Sequence, residues 1–311
     1  MNKILITLLM VLGCSCMAQM KPVSLEKGDN KISVKLDGQL FTEFVHGEQK
    51  PYLYPVIGPT GINMTRNFPI KKGVKGESQD HPWHTSVYYT HGSVNGLDFW
   101  NDKSSQQKNC KIVLDKLEKA ENVSSEKAVI VATHKWMNGD KLMMSDKTEL
   151  AFSGDANKRI IDYKITLIAS NGDVKLGDTK EGCMAVRMHQ KLRVKDRGAK
   201  VINSEGVTGK GVWGKPAKWI SYYNEIEGEK VGISMLDHKS NMRYPTTWHA
   251  RDYGLCAANP FGLKYFLKGQ KKKGEYVIKS GESLTFQYRI VFHKGSPEDI
   301  KINNLHDEFI K

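Results

Sequence analysis

The sequence predicts an all-β protein, a large antiparallel β-sandwich, on three observations. Apolar residues recur with a period of two along most of the chain. Turn dipeptides fall between the alternating runs at hairpin-like spacing. Helical periodicity is nearly absent.

Taken in order, Ile32, Val34 and Leu36 alternate with Ser33 and Lys35. Ile161, Tyr163, Ile165 and Leu167 alternate with Asp162, Lys164 and Thr166. Leu284, Phe286, Tyr288, Ile290 and Phe292 form the longest such run. Each reads as a strand with one buried face and one wetter face. Asp37-Gly38, Asn138-Gly139, Asn171-Gly172 and Ser280-Gly281 mark turns. Two stretches read as helical, Asp115–Ala120 and the tail after Pro297. An α/β fold would need helical patterns of roughly 10–15 residues between strands, and they are missing. A closed barrel satisfies the same alternation as a sandwich. No linker rich in Pro, Gly or Ser divides the chain, so residues 19–311 read as one β domain.

Composition excludes several classes. Hydrophobic residues make up 39% and charged residues 26% of the 311, the balance of a folded globular chain. The 28 glycines and 10 prolines follow no period, which excludes a collagen-like or low-complexity protein. Five cysteines are too few for a disulfide scaffold, and no Cys-x-x-Cys occurs, so zinc ribbons and thioredoxin-type motifs are excluded. Cys183 and Cys256, set among small and apolar residues, read as core thiols. The formal net charge of +13 invites a polyanionic partner. Its densest cluster, Lys268 to Gly274, carries no interleaved Arg or aromatic residue. It therefore reads as a solvated hairpin turn, and no nucleic-acid partner is expected.

Residues 1–18 have the layout of a secretory signal peptide: Asn2-Lys3, the apolar run Ile4–Leu12, then small residues to Ala18. Two cleavage readings stand. Val11-Leu12-Gly13-Cys14 resembles a lipobox, which would lipidate Cys14 and leave a membrane-anchored lipoprotein. Cys16-Met17-Ala18 resembles a small-x-Ala site, which would release the chain. Both make the protein exported, periplasmic or at the cell surface, touching membrane only through a lipid anchor.

Polar residues that break the strand alternation gather in two blocks. The first runs from Lys50 to Trp100 and holds Thr65-Arg66-Asn67-Phe68-Pro69, Asp80-His81-Pro82-Trp83-His84, His91-Gly92, Asn95-Gly96 and Asp98-Phe99-Trp100. The second is Thr247-Trp248-His249-Ala250-Arg251-Asp252-Tyr253-Gly254, running into Asn259-Pro260-Phe261-Gly262. Aromatics interleaved with titratable groups suit a sugar site, where ring faces stack on aromatics and hydroxyls need donors and acceptors.

Together these blocks resemble a bacterial family of exported proteins called PmoA-like, over roughly residues 45–295. Where its members often carry an imidazole after the proline of Asp-His-Pro, this chain has Trp83. The name notwithstanding, a methane oxygenase is not implied, since no stretch after the leader reaches the length of a membrane span. The resemblance implies a supersandwich related to galactose mutarotases and a carbohydrate partner, and the excess positive charge biases that partner toward fragments of acidic polysaccharide. It implies catalytic roles for His84, His91, His249 and Asp252. Substrate contacts would come from Arg66, His81, Trp83, Asn95, Asp98, Trp248, Arg251, Tyr253 and Asn259. The implied chemistry is acid–base catalysis on a sugar or oligosaccharide by His and carboxylate, of epimerase, hydrolase or lyase type.

Two other readings stand beside it. One is a non-catalytic glycan-binding protein of a polysaccharide-degradation system, which would set Trp83, Trp100 and Trp248 in an open strip. The other is a metal-dependent carbohydrate enzyme, with a divalent ion on His81, His84 and His91. On an extended strand positions i and i+3 face opposite ways, so His81 and His84 converge only if Pro82 forces a turn. Otherwise no cofactor is expected, because the sequence has no P-loop, no dinucleotide fingerprint and no G-x-S-x-G.

Overall fold

Strand alternation carries the architecture. The computed structural model describes residues 19–101, 109–270 and 273–311. The leader with Cys14, and Lys271-Lys272 of the basic run, lie outside the described residues.

The chain first winds up and down through β1 (Val23–Lys27), β2 (Lys31–Leu36), β3 (Gln39–Val45) and β4 (Tyr52–Val56), then after a long loop enters β5 (Val87–His91). A four-strand meander follows: β6 (Cys110–Ser124), β7 (Lys127–Asn138), β8 (Lys141–Gly154) and β9 (Lys158–Ile168). Then come β10 (Val174–Leu176), β11 (Gly182–Arg187), the short helix α1 (Val194–Arg197), β12 (Lys200–Asn203), β13 (Trp219–Ile226) and β14 (Glu229–Asp237). The hairpin of β15 (Trp248–Ala250) and β16 (Leu255–Ala258) precedes α2 (Leu263–Phe266). β17 (Tyr276–Ile278), β18 (Ser283–Lys294) and α3 (Ile302–Phe309) complete the chain.

Among the described residues these strands make two eight-stranded sheets. The first has the order β1-β2-β3-β4-β5-β11-β16-β15, the second β12-β13-β14-β18-β9-β8-β7-β6, and every pairing is antiparallel. One apolar core lies between them and draws on both, with Phe41 of β3 set edge-on to Phe152 of β8 at 6.1 Å. The outer face of the second sheet is closed by α3, whose Ile302 and Leu305 pack with Trp219, Leu236 and Val291. The all-β sandwich and the helical tail are as the periodicity predicts. Asp37 and Gly38, both at positive φ, form the two-residue turn between β2 and β3. Cys110, Cys183 and Cys256 are buried, and no disulfide joins them to one another.

Two sequence expectations are corrected. Asp115–Ala120 is not helical but lies within β6. Register shifts at Leu114/Lys116 and Leu117/Lys119 insert extra residues into β6, so Leu114, Leu117 and Ala120 acquire a three-residue spacing that imitates a helix. The described ends of the basic run, residues 268–270 and 273–274, lie between α2 and β17 rather than between two strands of a hairpin, and β17 pairs with β10.

The core holds a hydrogen-bonded polar cluster on β7 and β8. Asp146, on the inward face of β8, accepts hydrogen bonds from His134 Nδ1 (2.9 Å), Trp136 Nε1 (2.8 Å) and Thr148 Oγ1 (2.9 Å). All are buried. Replacing Asp146 by Ala strands three buried donors, so urea unfolding of D146A should show a loss of about 3–5 kcal/mol. A loss under ~1 kcal/mol would contradict this account.

Candidate functional site

The outer face of the first sheet carries the site. Tyr88 of β5, Ala185 of β11, Ala257 of β16 and His249 of β15 stand directly opposite one another across four strands. Their chain neighbours Val87, Tyr89, Met184, Val186, Cys256 and Trp248 point the other way, into the core. The two alanines leave room above the sheet, where Trp100, Trp83, Tyr52 and Tyr253 gather with Tyr88 in a second apolar cluster.

The loop Asp80–His84 is held over this face by two buried arginines. Arg66 Nη1 donates to both the Asp80 carbonyl and Asp80 Oδ1 at 2.7 Å, while Nη2 donates to the carbonyls of His81 (2.9 Å) and His84 (3.3 Å). Arg187, on β11, donates from Nη2 to the same Asp80 Oδ1 at 2.6 Å. Burial opposes charge on Asp80, but His81, Arg187 and Arg66 outweigh it and hold the carboxyl well below its ordinary range. Burial and the neighbouring Arg187 bring Arg66 down to about 10, so it stays charged at neutral pH.

Above the clamp the rings form a column. Tyr253 stacks on His81 (5.1 Å), His81 on His84 (4.8 Å) and His84 on Tyr88 (6.4 Å). Trp83 and Trp100 meet His84 edge-on at 5.9 and 5.4 Å. The column forms one wall of a cavity of about 460 Å³, completed by Asp98, Lys180, Glu181, His249 and Arg251. A larger hollow of about 730 Å³, lined by Lys175, Lys264 and Lys273, holds no imidazole. We place the site in the smaller cavity because the titratable groups converge there.

Hydrogen bonds assign the two buried imidazoles opposite tautomers. Arginine can only donate, so the 3.5 Å approach of Arg187 Nη1 to His84 Nδ1 makes Nδ1 the acceptor and Nε2 the N–H. That N–H meets no acceptor among the described residues. A carbonyl can only accept, so the short contact of His249 Nδ1 with the Lys180 carbonyl puts the proton on Nδ1 and leaves Nε2 as a lone pair. Burial lowers His249 to about 4, against the opposing charge of Glu181. Burial, then Arg187, His81, Arg66 and Lys50, push His84 well below its ordinary value. Both rings are therefore neutral at neutral pH, one a donor and the other an acceptor.

The predicted residues divide by strand parity and loop path. His81, Trp83, His84, Asp98, His249, Arg251 and Tyr253 line the cavity. Arg66 lies behind it as part of the clamp. His91 does not reach it. It shares a face of β5 with Val87 and Tyr89, donates from Nε2 to the Gly177 carbonyl (3.0 Å), and sets Nδ1 3.6 Å from Cys183 Sγ. Trp248, next to His249 on one strand, must face the core, and its indole donates to the Ala217 carbonyl at 2.9 Å. Asp252 turns away to Lys210 (3.5 Å) beside a separate hollow. Asn95 sits in a turn where it accepts from the Lys175 amide at 2.7 Å. Asn259 donates to the Thr179 carbonyl at 3.0 Å, and so braces the segment that carries Lys180 and Glu181.

His81 and His84 stack face to face, interplanar angle 5°, and His91 lies on the far side of its strand, so the three rings do not form one ligand set. Among the described residues no group of three His, Cys, Asp or Glu side chains is placed to hold a metal ion. Asp98 lines the cavity and also closes a turn, its Oδ1 accepting from the amides of Trp100 (2.8 Å) and Asn101 (3.0 Å). Three further histidines lie away from the cavity: His134, His293 and His306 are tied to Asp146, Ser234 and the Asp237 carbonyl. Sequence reasoning missed Glu181, Lys180 and Arg187. Glu181 precedes β11 in an unremarkable Lys-Glu-Gly-Cys segment, and Arg187 shows itself only through register with Ala185.

Fold and site together define an all-β sandwich protein with a histidine-lined cavity on the outer face of one sheet. The chain belongs to the family of unknown function DUF6807, whose model matches residues 31–307. No curated protein matches the sequence. Among solved structures it is similar to the α-galactosidase from Lactobacillus brevis (9% identity, 90% of this chain and 40% of that one, TM-score 0.41). It is also similar to a galactose mutarotase-like protein from Clostridium acetobutylicum (7%, 89% and 99%, TM-score 0.38). A third is a Glycoside Hydrolase Family 97 enzyme from Pseudoalteromonas sp. strain K8 (9%, 88% and 34%, TM-score 0.38). The chain thus spans two fifths of the galactosidase and a third of the family 97 enzyme.

Two predictions follow from the clamp and the imidazoles. Asp80→Ala removes the carboxylate shared by two buried guanidiniums and should cost about 3 kcal/mol in urea unfolding, with Asp80→Asn recovering part of it. His91, His249 and His293, each brought by burial to about 4, refuse protons that the unfolded chain takes up at its ordinary value of 6.5. Their contribution is present above 6.5 and is lost as pH falls toward 4. Urea midpoints at pH 7 and pH 4.5 should show the drop; a flat profile would refute the assignment.

Proposed function

We propose that this protein is an exported carbohydrate-active enzyme that performs acid–base chemistry on a saccharide held between His84 and His249. The observation that carries this reading is the pairing of opposite tautomers around one cavity. His249 Nε2 can take a proton from a sugar hydroxyl, its ring oriented by the Lys180 carbonyl. The imidazolium that forms is stabilised by the nearby charge of Glu181, which already acts to raise His249. His84 Nε2–H, backed by the positive charges of Arg187, Arg66 and Lys50, polarises the oxygen on which negative charge develops. With Asp252 turned away, Glu181 is the carboxylate that supports His249, by its charge rather than by proton transfer.

The size and walls of the cavity support a sugar. About 460 Å³ lies within the range of small-ligand sites, and Trp83 and Tyr253 offer ring surface beside polar groups. Arg251 at its edge favours a saccharide bearing carboxylate, while Lys180 is paired with Glu181. The tryptophans do not form the open strip of a glycan-binding module, since Trp248 faces the core and Trp100 is fully buried. The signal-like leader supports the reading of an exported protein, periplasmic or at the cell surface. On this reading the two motif blocks are those of the PmoA-like exported proteins.

Turnover of a panel of neutral and acidic saccharides, followed by NMR, tests the proposal. His249→Gln, His84→Ala and Glu181→Gln should each lower turnover by about 10²–10⁴-fold while saccharide binding persists. Activity that depends on neutral His249 should hold through neutral pH and disappear as pH falls through about 4. Saccharide binding without turnover by the wild-type protein would replace the enzyme with a binding protein. Equal turnover in all three variants would remove the acid–base assignment.

A further inference from the structure

Arg251 stands between two hollows. On one side is the cavity of His84 and His249; on the other is a smaller one of about 260 Å³, lined by Lys210, Trp213, Ala250, Arg251 and Asp252. We propose that the smaller hollow is a second saccharide subsite, so that the substrate is an oligosaccharide spanning Arg251 rather than a single sugar. The proposal rests on the reading of the first cavity given above.

The second hollow has the parts a sugar ring needs. Trp213 supplies an aromatic surface, and its indole Nε1–H finds no acceptor among the described residues. Asp252, 3.5 Å from Lys210, provides acceptors, and Lys210 and Arg251 provide donors. These residues come from separate parts of the chain: the turn Gly209–Val212 with Trp213, and the hairpin between β15 and β16. The Gly214 amide donates to the Trp248 carbonyl at 2.8 Å and fixes the first against the second.

A chain of rings couples the hollow to the first cavity. Trp213 meets Phe266 edge-on at 5.2 Å, and Phe266 meets His249 at 6.0 Å. The guanidinium of Arg251, set against the Tyr253 ring at 5.4 Å, is placed to contact both sugars across their linkage.

Calorimetric titration with glucose, galactose and galacturonate, and with their trisaccharides, tests this on the full chain. The wild-type protein should bind the matching trisaccharide more tightly than its monosaccharide. Trp213→Ala should reduce that ratio by about tenfold, the size of one lost ring-stacking contact. Lys210→Ala, on a side chain 80% exposed and so without effect on folding, should reduce it in the same direction. A trisaccharide bound no better than its monosaccharide, or a ratio unmoved by both substitutions, overturns the second subsite and leaves the first cavity standing. Failure to bind any saccharide overturns both.

Discussion

A single carboxylate, Asp80, holds the site together. Arg66 comes from the loop after β4 and Arg187 from β11, and both are buried with their charge against the same oxygen. Two guanidiniums in a low-dielectric interior repel each other and lack solvation, so each depends on Asp80 for compensation. In return they pin the carbonyls of His81 and His84, and Arg187 also sets the tautomer of His84. The stack of His81 between Tyr253 and His84 follows from where that loop is pinned. Charge balance beneath the site thus dictates ring geometry within it.

Placement on the sheet is governed by a simpler constraint. Tyr88, Ala185, Ala257 and His249 share one row because antiparallel register aligns them, and neighbours on each strand must face the opposite side. The small middle pair turns a flat sheet into a hollow that loops can fill with aromatic side chains. Bulk is thereby moved from the strands to the loops, where its position can be set by hydrogen bonds.

Most of the fold was legible in the alternation of β2, β9 and β18, and both blocks of site residues stood out against it. Parity also carried information about the site. His91 shares its phase with Val87 and Tyr89, and Trp248 and His249 are adjacent, so at most one of the latter pair could face a ligand. What alternation could not show was any contact made by loops. Glu181 reaches the cavity through a segment with no pattern of its own, and Asp252 leaves it because the β15–β16 hairpin turns there. The strand misread as a helix failed for a related reason: bulges in β6 broke the period on which the reading relied.

The three buried thiols bear on how the protein meets its surroundings. No disulfide joins Cys110, Cys183 and Cys256 to one another, and burial pushes the pKa of each thiol up, so little thiolate exists to react with oxidants or electrophiles. Among the described residues no cross-link between these three thiols has to form for the sandwich to close. The cohesion of the described sandwich therefore comes from packing and hydrogen bonding, and the buried thiols add to the packing without being exposed to redox chemistry.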